Sequence, residues 1–322
     1  MVEEILNNIY KIEIPLPNNP LKTVNSYLVK GPKKNLIIDT GLNQKECMNT
    51  MQASLLELGV DLKRTDFFIT HFHPDHLGLV SKLAKDTSVI YFNGPEADLI
   101  RSGIHWDHLS DFARLNGFPE EELQSAIRKD RDFEFASNWH PSFHILREGD
   151  TISIGDNVFK CIETPGHSIG HICLYESNKR VFMSGDHILG DITPGIQLWH
   201  YEWDPLKEYL TSLEKVWGLD IGLVLPGHRN VFRGFKERIE ELKNHHQKRL
   251  DEIISILEKS EKNAFQIGSQ MSWDIVFDSW DLFPALQKMF VLGEAIAHLK
   301  YLEGKGKIRK EMYQRRIVYS LS

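Results

Sequence analysis

Cysteine is scarce: the 322 residues contain three, Cys47, Cys161 and Cys173. None stands in a CxxC or otherwise paired spacing, so the chain reads as one with buried thiols rather than a disulfide framework, suited to a reducing, cytoplasmic compartment. No apolar run approaches the roughly 18 residues of a membrane span. The acidic start Met1-Val2-Glu3-Glu4 leads into no apolar core, so neither a transmembrane helix nor a signal peptide is expected. Positive charge is also in deficit. A formal net charge of −7 argues against a protein built wholly around nucleic acid. The length allows one large domain or two, and nothing in the sequence sets an oligomeric state.

What the chain does have is histidine, 15 residues in all, three of them within Thr70-His71-Phe72-His73-Pro74-Asp75-His76. His71 and His73 alternate, so on extended backbone they face one way. A turn begun at Pro74 brings Asp75 and His76 round to the same place. The preceding Asp66-Phe67-Phe68-Ile69 reads as a buried strand, which puts the cluster at the strand's C-terminal end, where α/β sheets carry their sites. By itself such a cluster also suits a structural zinc site.

Around it the order is α/β. Strands are expected over 5–14, 24–29 and 36–38, a helix over 44–58, a short helix over 77–84 and a strand over 89–92. Asp39 ends the third strand and is read either as the partner that orients a ligand histidine or as a turn aspartate. Residues 95–147 break the rhythm with helical pieces at 96–103, 106–115 and 119–130. They carry His105, Trp106, His108, Trp139, His140 and His144, and read as a helical insertion near the mouth of the site. Four more strands follow (151–154, 158–163, 172–175, 180–183), then a helix over 205–217 and a strand over 223–225.

Three of these strand ends deliver further donors. Thr164-Pro165-Gly166-His167-Ser168 gives His167, Ser184-Gly185-Asp186-His187 gives Asp186, and Pro226-Gly227-His228 gives His228. Glycine before a ligand admits close backbone approach, and proline fixes the turn. Seven groups suit two divalent metals: His71, His73 and His167 on one, Asp75, His76 and His228 on the other, with Asp186 between them. Nitrogen-rich ligation without cysteine fits Zn²⁺, with Fe or Mn as alternatives. Such a centre activates water, and Asp75 is a candidate to orient or deprotonate the nucleophile. His187 is a candidate outer acid or orienting group, or else a buried hydrogen-bonded histidine.

HxHxDH at 71–76, TPGHS at 164–168, GD at 185–186 and PGH at 226–228 together resemble the metallo-β-lactamase superfamily of hydrolases. The resemblance covers roughly residues 5–232 and implies an αββα sandwich and the same distribution of metal ligands. Aspartate at 186, where true β-lactamases of the superfamily have cysteine, argues against antibiotic hydrolysis. Histidine at 73, where flavodiiron members have glutamate, argues against oxygen reduction. The ligand set is similar to that of the glyoxalase II type thioesterases and the lactonases. The implied function is hydrolysis of a small-molecule ester, thioester or lactone, with residues 1–232 as the catalytic domain.

Residues 233–322 form a second domain in this reading. A long amphipathic helix over 235–257, with His245-His246 at least partly facing solvent, is followed by a short helix over 264–272. Core-type residues Trp273, Trp280, Leu282 and Phe283 come next, then a helix over 286–303 and two strand-like runs. Helices followed by a hairpin look like a winged helix. This stretch has 16 basic against 13 acidic residues, a surplus of three, so the remainder carries −10. Lys305, Lys307, Arg309, Lys310, Arg315 and Arg316 cluster on the hairpin, either as a solvated face or as a footprint for phosphate. The architecture and the stretch Gly293-Glu294-Ala295-Ile296-Ala297-His298-Leu299 are similar to the β-lactamase-like endoribonucleases. A phosphodiesterase that holds nucleic acid on this hairpin is therefore the alternative function. A non-catalytic metal scaffold is disfavoured because no donor is missing.

Overall fold

Apolar residues alternate along the early strands, and the alternation decides what each face covers. In the computed structural model, which describes residues 1–102, 106–129, 142–198, 202–273 and 279–322 (backbone only at 106–107 and 127–129), packing divides the chain into two units. The first comprises Met1–Ile104, Asp132–Pro194 and Ser212–Arg238; the second comprises His105–Arg131, Gly195–Thr211 and Ile239–Ser322.

Among the described residues the first unit holds two sheets. One contains β1 (Val2–Leu6), β2 (Ile9–Pro15), β3 (Thr23–Val29), β4 (Asn35–Ile38), β5 (Thr65–Phe68), β6 (Ile90–Asn93) and β7 (His144–Leu146), side by side in that order. It is antiparallel from β1 to β4 and parallel from β4 to β7. The other contains β8 (Thr151–Ile154), β9 (Asn157–Glu163), β10 (Ile172–Glu176), β11 (Val181–Gly185) and β12 (Leu223–Pro226), with β11 and β12 parallel.

Ile9, Tyr27, Leu36, Ile38 and Phe68 point from the first sheet towards Phe159, Ile172, Leu174, Met183 and Leu225 of the second, forming the inter-sheet core. Their neighbours Ile12, Leu28, Ile37 and Phe67 point outward onto Cys47, Met51 and Leu55 of the helix Lys45–Glu57 and onto Ala97 and Ile100 of the helix Gly94–Ser102. On the outer face of the second sheet Phe182 meets Phe235, at a ring separation of 5.6 Å. Helix, sheet, sheet, helix is the layer order implied by the motifs.

The parallel run β4–β5–β6 puts Asp39, the Thr70–His76 loop and the helix containing Glu96 at one sheet edge. Strands β9, β11 and β12 share a direction, so the loops bearing His167, Asp186 and His228 leave a single edge of the second sheet. The expected helix over 77–84 is instead two single turns, Pro74–Leu77 and Val80–Leu83, between which the Leu79 amide donates to the Gly41 carbonyl at 3.0 Å and to the Thr40 hydroxyl at 3.1 Å.

The second unit contains the helices Trp106–Leu115, Glu120–Lys129, Ala264–Gly268 and Ala285–Gly304, most of the helix Phe235–Leu257, and the hairpin β13 (Ile308–Tyr313) and β14 (Arg316–Leu321). Asn263 and Gln266 form a reciprocal capping box on the short helix. Gln314 and Arg315 take left-handed conformations (φ 46° and 64°), as a two-residue hairpin turn demands.

Two expectations fail here. Leu282, expected in the core, is 59% exposed. It sits in a single 3₁₀ turn, Trp280–Leu282, that is too short to bury both of its faces. His246, expected at least partly in solvent, is fully buried, its Nδ1 within 3.1 Å of His298 Nε2. Of the insertion histidines and tryptophans, His105, Trp139, His140 and the Trp106 side chain lie outside the described residues, while His108 and His144 are exposed. No helix among the described residues is long and apolar enough to cross a membrane.

Candidate metal centre

Proline at the first helical position needs no amide donor, so the turn Pro74–Leu77 starts immediately after His73. That turn carries Asp75 and His76 back over His71. His71 Nε2 lies 2.9 Å from His73 Nδ1, and His167 Nε2 lies 3.1 Å from the same atom. Three ring nitrogens thus converge from two loops.

A second convergence joins Asp75, His76 and His228. Asp75 Oδ2 lies 3.4 Å from His228 Nε2 and 3.9 Å from His76 Nε2. Asp186 spans the two groups, with Oδ2 3.7 Å from His167 Nε2 and 3.4 Å from His228 Nε2, and Oδ1 3.6 Å from His76 Nε2. The donor atoms of His71, His73 and His167, of His71, His76 and Asp186, and of Asp75, His76 and His228 each lie within 4.8 Å of one another.

The far sides of the rings fix which nitrogen is bare. Asp39 Oδ2 accepts from His76 Nδ1 at 2.7 Å, and the Thr23 carbonyl accepts from His228 Nδ1 at 2.8 Å. The Thr70 hydroxyl donates to Asp39 Oδ2 and so accepts from His71 Nδ1, each at 2.9 Å. With their Nδ1 protons committed outward, His71, His76 and His228 turn their Nε2 atoms inward, where a cation would take the place of a second proton. His76 Nε2, His228 Nε2 and Asp186 Oδ1 are buried and have no hydrogen-bond partner among the described residues. Buried polar atoms without partners are costly, and cations within the two groups would satisfy all of them.

The electrostatics agree. Burial, together with the neighbouring His167, holds His73 down to about 3, and burial with His76, His73 and His167 holds His71 well below its usual range. Both are therefore neutral, the form that binds metal. On the other side burial works against the charges of His76 and His228, yet the carboxylates prevail. Asp186, Asp39 and Asp75 push His76 well up, and Asp186 and Asp75 push His228 up to about 10. These three carboxylates, two buried and one half-buried, demand positive charge, which divalent cations would supply without protonating the imidazoles.

His187 belongs to none of the three-donor groups. It is fully buried with its ring centred 6.2 Å from that of His171, and burial holds it down to about 3.

Two functional positions carried no expectation from the sequence. His171, fully buried, accepts from the Asp186 amide at 3.1 Å and contacts the Thr164 hydroxyl at 2.8 Å, so it fixes the turn that presents Asp186. Its spacing of four from His167 is the available signal. Glu96, also fully buried, accepts from the loops that carry His71, His73 and His167. A lone glutamate opening a helix gives no such signal.

The model of the family described as Metallo-beta-lactamase superfamily matches residues 20–228. The Bacillus subtilis protein named probable metallo-hydrolase YqjP is 27% identical over 314 residues, covering 92% of this chain and 93% of its own. The human protein named acyl-coenzyme A thioesterase MBLAC2 is 28% identical over 218 residues, covering 65% of this chain and 74% of its own. Among solved structures, the metallo-beta-lactamase family protein TTHA1429 from Thermus thermophilus is similar with a TM-score of 0.82 and 26% identity, over 99% of this chain and 100% of that one.

Proposed function

The chain belongs to the metallo-beta-lactamase superfamily and is a metal-dependent hydrolase; within that family we propose a dinuclear enzyme acting on a small-molecule thioester, or a related ester or lactone. One observation carries the reading: two three-donor groups share an aspartate whose oxygens reach both, while the protons of His71, His76 and His228 are tied outward. In support of the thioester class, a human relative is named an acyl-coenzyme A thioesterase.

His71 Nε2, His73 Nδ1 and His167 Nε2 would hold one ion, and Asp75 Oδ2, His76 Nε2 and His228 Nε2 the other, with Asp186 serving both. Imidazole and carboxylate donors in this mixture suit Zn²⁺ over Mg²⁺ or Ca²⁺, with Fe or Mn as alternatives. When bound, such a pair supplies Lewis acidity, acidifying water and countering charge that develops on a carbonyl oxygen. The chain's own part is to hold that charge balance in place. Burial opposes ionisation of Asp75, but His76 and His228 keep it an anion, able to accept a hydrogen bond from a nucleophile beside it and so orient it. Asp39 and Thr70 keep His76 and His71 from turning. His171 fixes the Asp186 turn, and His187, next in the chain after Asp186, is retained as an orienting group.

The test is metal analysis of the purified protein followed by turnover on acyl-CoA, lactone and simple ester substrates. Two equivalents of a transition metal and thioester hydrolysis abolished by chelation are expected. A protein that holds no metal, or whose turnover survives chelation, would overturn the reading.

A second reading, phosphodiester cleavage, is favoured by one observation. Lys305, Lys307, Arg309, Arg315 and Arg316 are all exposed at and beside the hairpin, and Met312 and Tyr313 stand out at its end. A nucleic-acid substrate would then show binding that falls steeply with salt, with a log–log slope set by the number of phosphates neutralised. A flat salt response removes this reading.

A further inference from the structure

We propose that Glu96 is the positioning residue of the three-histidine group, a buried carboxylate that clamps the loop of His71 and His73 to the loop of His167. The inference rests on the metal-centre reading above.

Glu96 lies in the first turn of the helix Gly94–Ser102, which follows β6 directly. Its side chain has no solvent exposure. Oε2 accepts from the Phe72 amide at 2.6 Å. Oε1 accepts from the Gly170 amide at 2.7 Å and from the Ser168 hydroxyl at 2.5 Å. Phe72 is the residue between His71 and His73, and Ser168 directly follows His167. One carboxylate therefore bonds to both stretches of backbone that present this group, and to neither His76 nor His228, which are oriented by Asp39 and the Thr23 carbonyl.

The packing is built around that contact. A side chain at Gly170 would place its Cβ 2.6 Å from Glu96 Cγ and 2.5 Å from Asn93 Oδ1, so only glycine lets the loop approach. Burial pushes the Glu96 carboxyl up to about 7, against the pull of Ser168, Gly170 and Phe72. A group that is costly to bury and is held by three donors from two loops serves to fix those loops. Glutamine at this position has the same shape but offers only one acceptor oxygen. Its amide N–H₂ would face either the Phe72 N–H or the Gly170 and Ser168 donors, and one loop would lose its anchor.

The experiment titrates the full-length metal-free protein with Co²⁺, following visible absorption and competition with a chelator, for the wild type, Glu96→Gln, Ser168→Ala and His73→Ala. His73→Ala identifies the spectral signature of the three-histidine group. Folding is checked by circular dichroism. In Glu96→Gln, affinity at that group is expected to fall ten- to a hundredfold with an altered signature, while the other group keeps its affinity. Ser168→Ala, which removes one donor and introduces none, should show a smaller loss at the same group. A folded Glu96→Gln protein with wild-type affinities and spectrum overturns the proposal and leaves the metal centre standing. Should Glu96→Gln fail to fold, Ser168→Ala decides, and wild-type behaviour there overturns it. Wild-type protein that binds no Co²⁺ overturns the metal-centre reading, and this inference with it.

Discussion

Asp39 Oδ2 accepts the Nδ1 proton of His76 at 2.7 Å, across 37 positions of chain. The same carboxylate takes the Thr70 amide and hydroxyl at 2.9 Å each. One buried aspartate, in a left-handed backbone conformation (φ 56°), thus sets the ring of His76 directly and that of His71 through Thr70.

The Asp39→Asn variant should therefore lose metal with its backbone intact, since asparagine tolerates the left-handed region. An amide facing His76 Nδ1 and Thr70 donates where the carboxylate accepted. It draws the His76 proton round to Nε2, the atom turned into the site. Metal affinity should fall ten- to a hundredfold, measured by competition with a chelator. Unchanged affinity would show that His76 does not depend on this contact.

Gly227→Ala should be as damaging as removal of a donor. A Cβ there would overlap Asp186 Oδ1 and lie 2.8 Å from His76 Cε1. Because Gly227 is pinned on both sides, its amide to the Gly185 carbonyl and its carbonyl to the Asn25 amide, the backbone cannot retreat. A fall in turnover of at least about a hundredfold is expected, with less metal bound and an unchanged circular dichroism spectrum. Near-normal turnover would mean that Asp186 can move without consequence.

His73→Ala deletes the nitrogen on which His71 and His167 converge. Hydrolysis should drop by at least about two orders of magnitude, with one equivalent of metal lost per chain by mass spectrometry. Retention of both equivalents would place His73 outside the donor set.

In acid His246 and His298 should work against the second unit, while Glu294, whose carboxyl burial pushes up to about 7, works in the opposite sense. His298 Nδ1 donates to the Glu294 carbonyl at 2.8 Å, which leaves its Nε2 to accept from His246 Nδ1, so both rings are neutral. Burial holds His298 down to about 4; burial, with His298, His245 and Arg249 nearby, holds His246 well below the usual histidine range. Between their ordinary value near 6.5 and these folded values the unfolded chain binds more protons, so their contribution to stability falls as pH falls through that window. For His298 alone the loss reaches roughly 3 kcal/mol at the lower end. Urea denaturation between pH 7.5 and 4.5 should show the wild type losing stability relative to His298→Gln as pH falls. An equally steep pH profile in that variant would assign the effect elsewhere.

Several features were legible because they depend on local spacing. The alternation in β2 and β3, the short apolar runs of β4 and β5, the helices at 205–217 and 235–257 and the donor-bearing turns after β5, β9, β11 and β12 follow from period, proline and glycine. Where the local signal was ambiguous, packing decided. Val80–Leu83 separated from Pro74–Leu77 where the Leu79 amide turned to the Gly41 carbonyl and the Thr40 hydroxyl. His246 went inside because another helix offered it His298 as an acceptor.

By itself, then, the sequence determined which side chains could bind metal and at which strand ends they stand, since those depend on neighbours a few residues away. Only the tertiary structure decided which nitrogen of each ring faces inward, that Asp39 orients two ligand histidines, and that Glu96 and His171 belong to the site at all. These depend on contacts such as Glu96 with Gly170, 74 residues apart, made when two sheets bring their edges together. A carboxylate buried by such a contact looks, along the chain, like any other glutamate at the start of a helix.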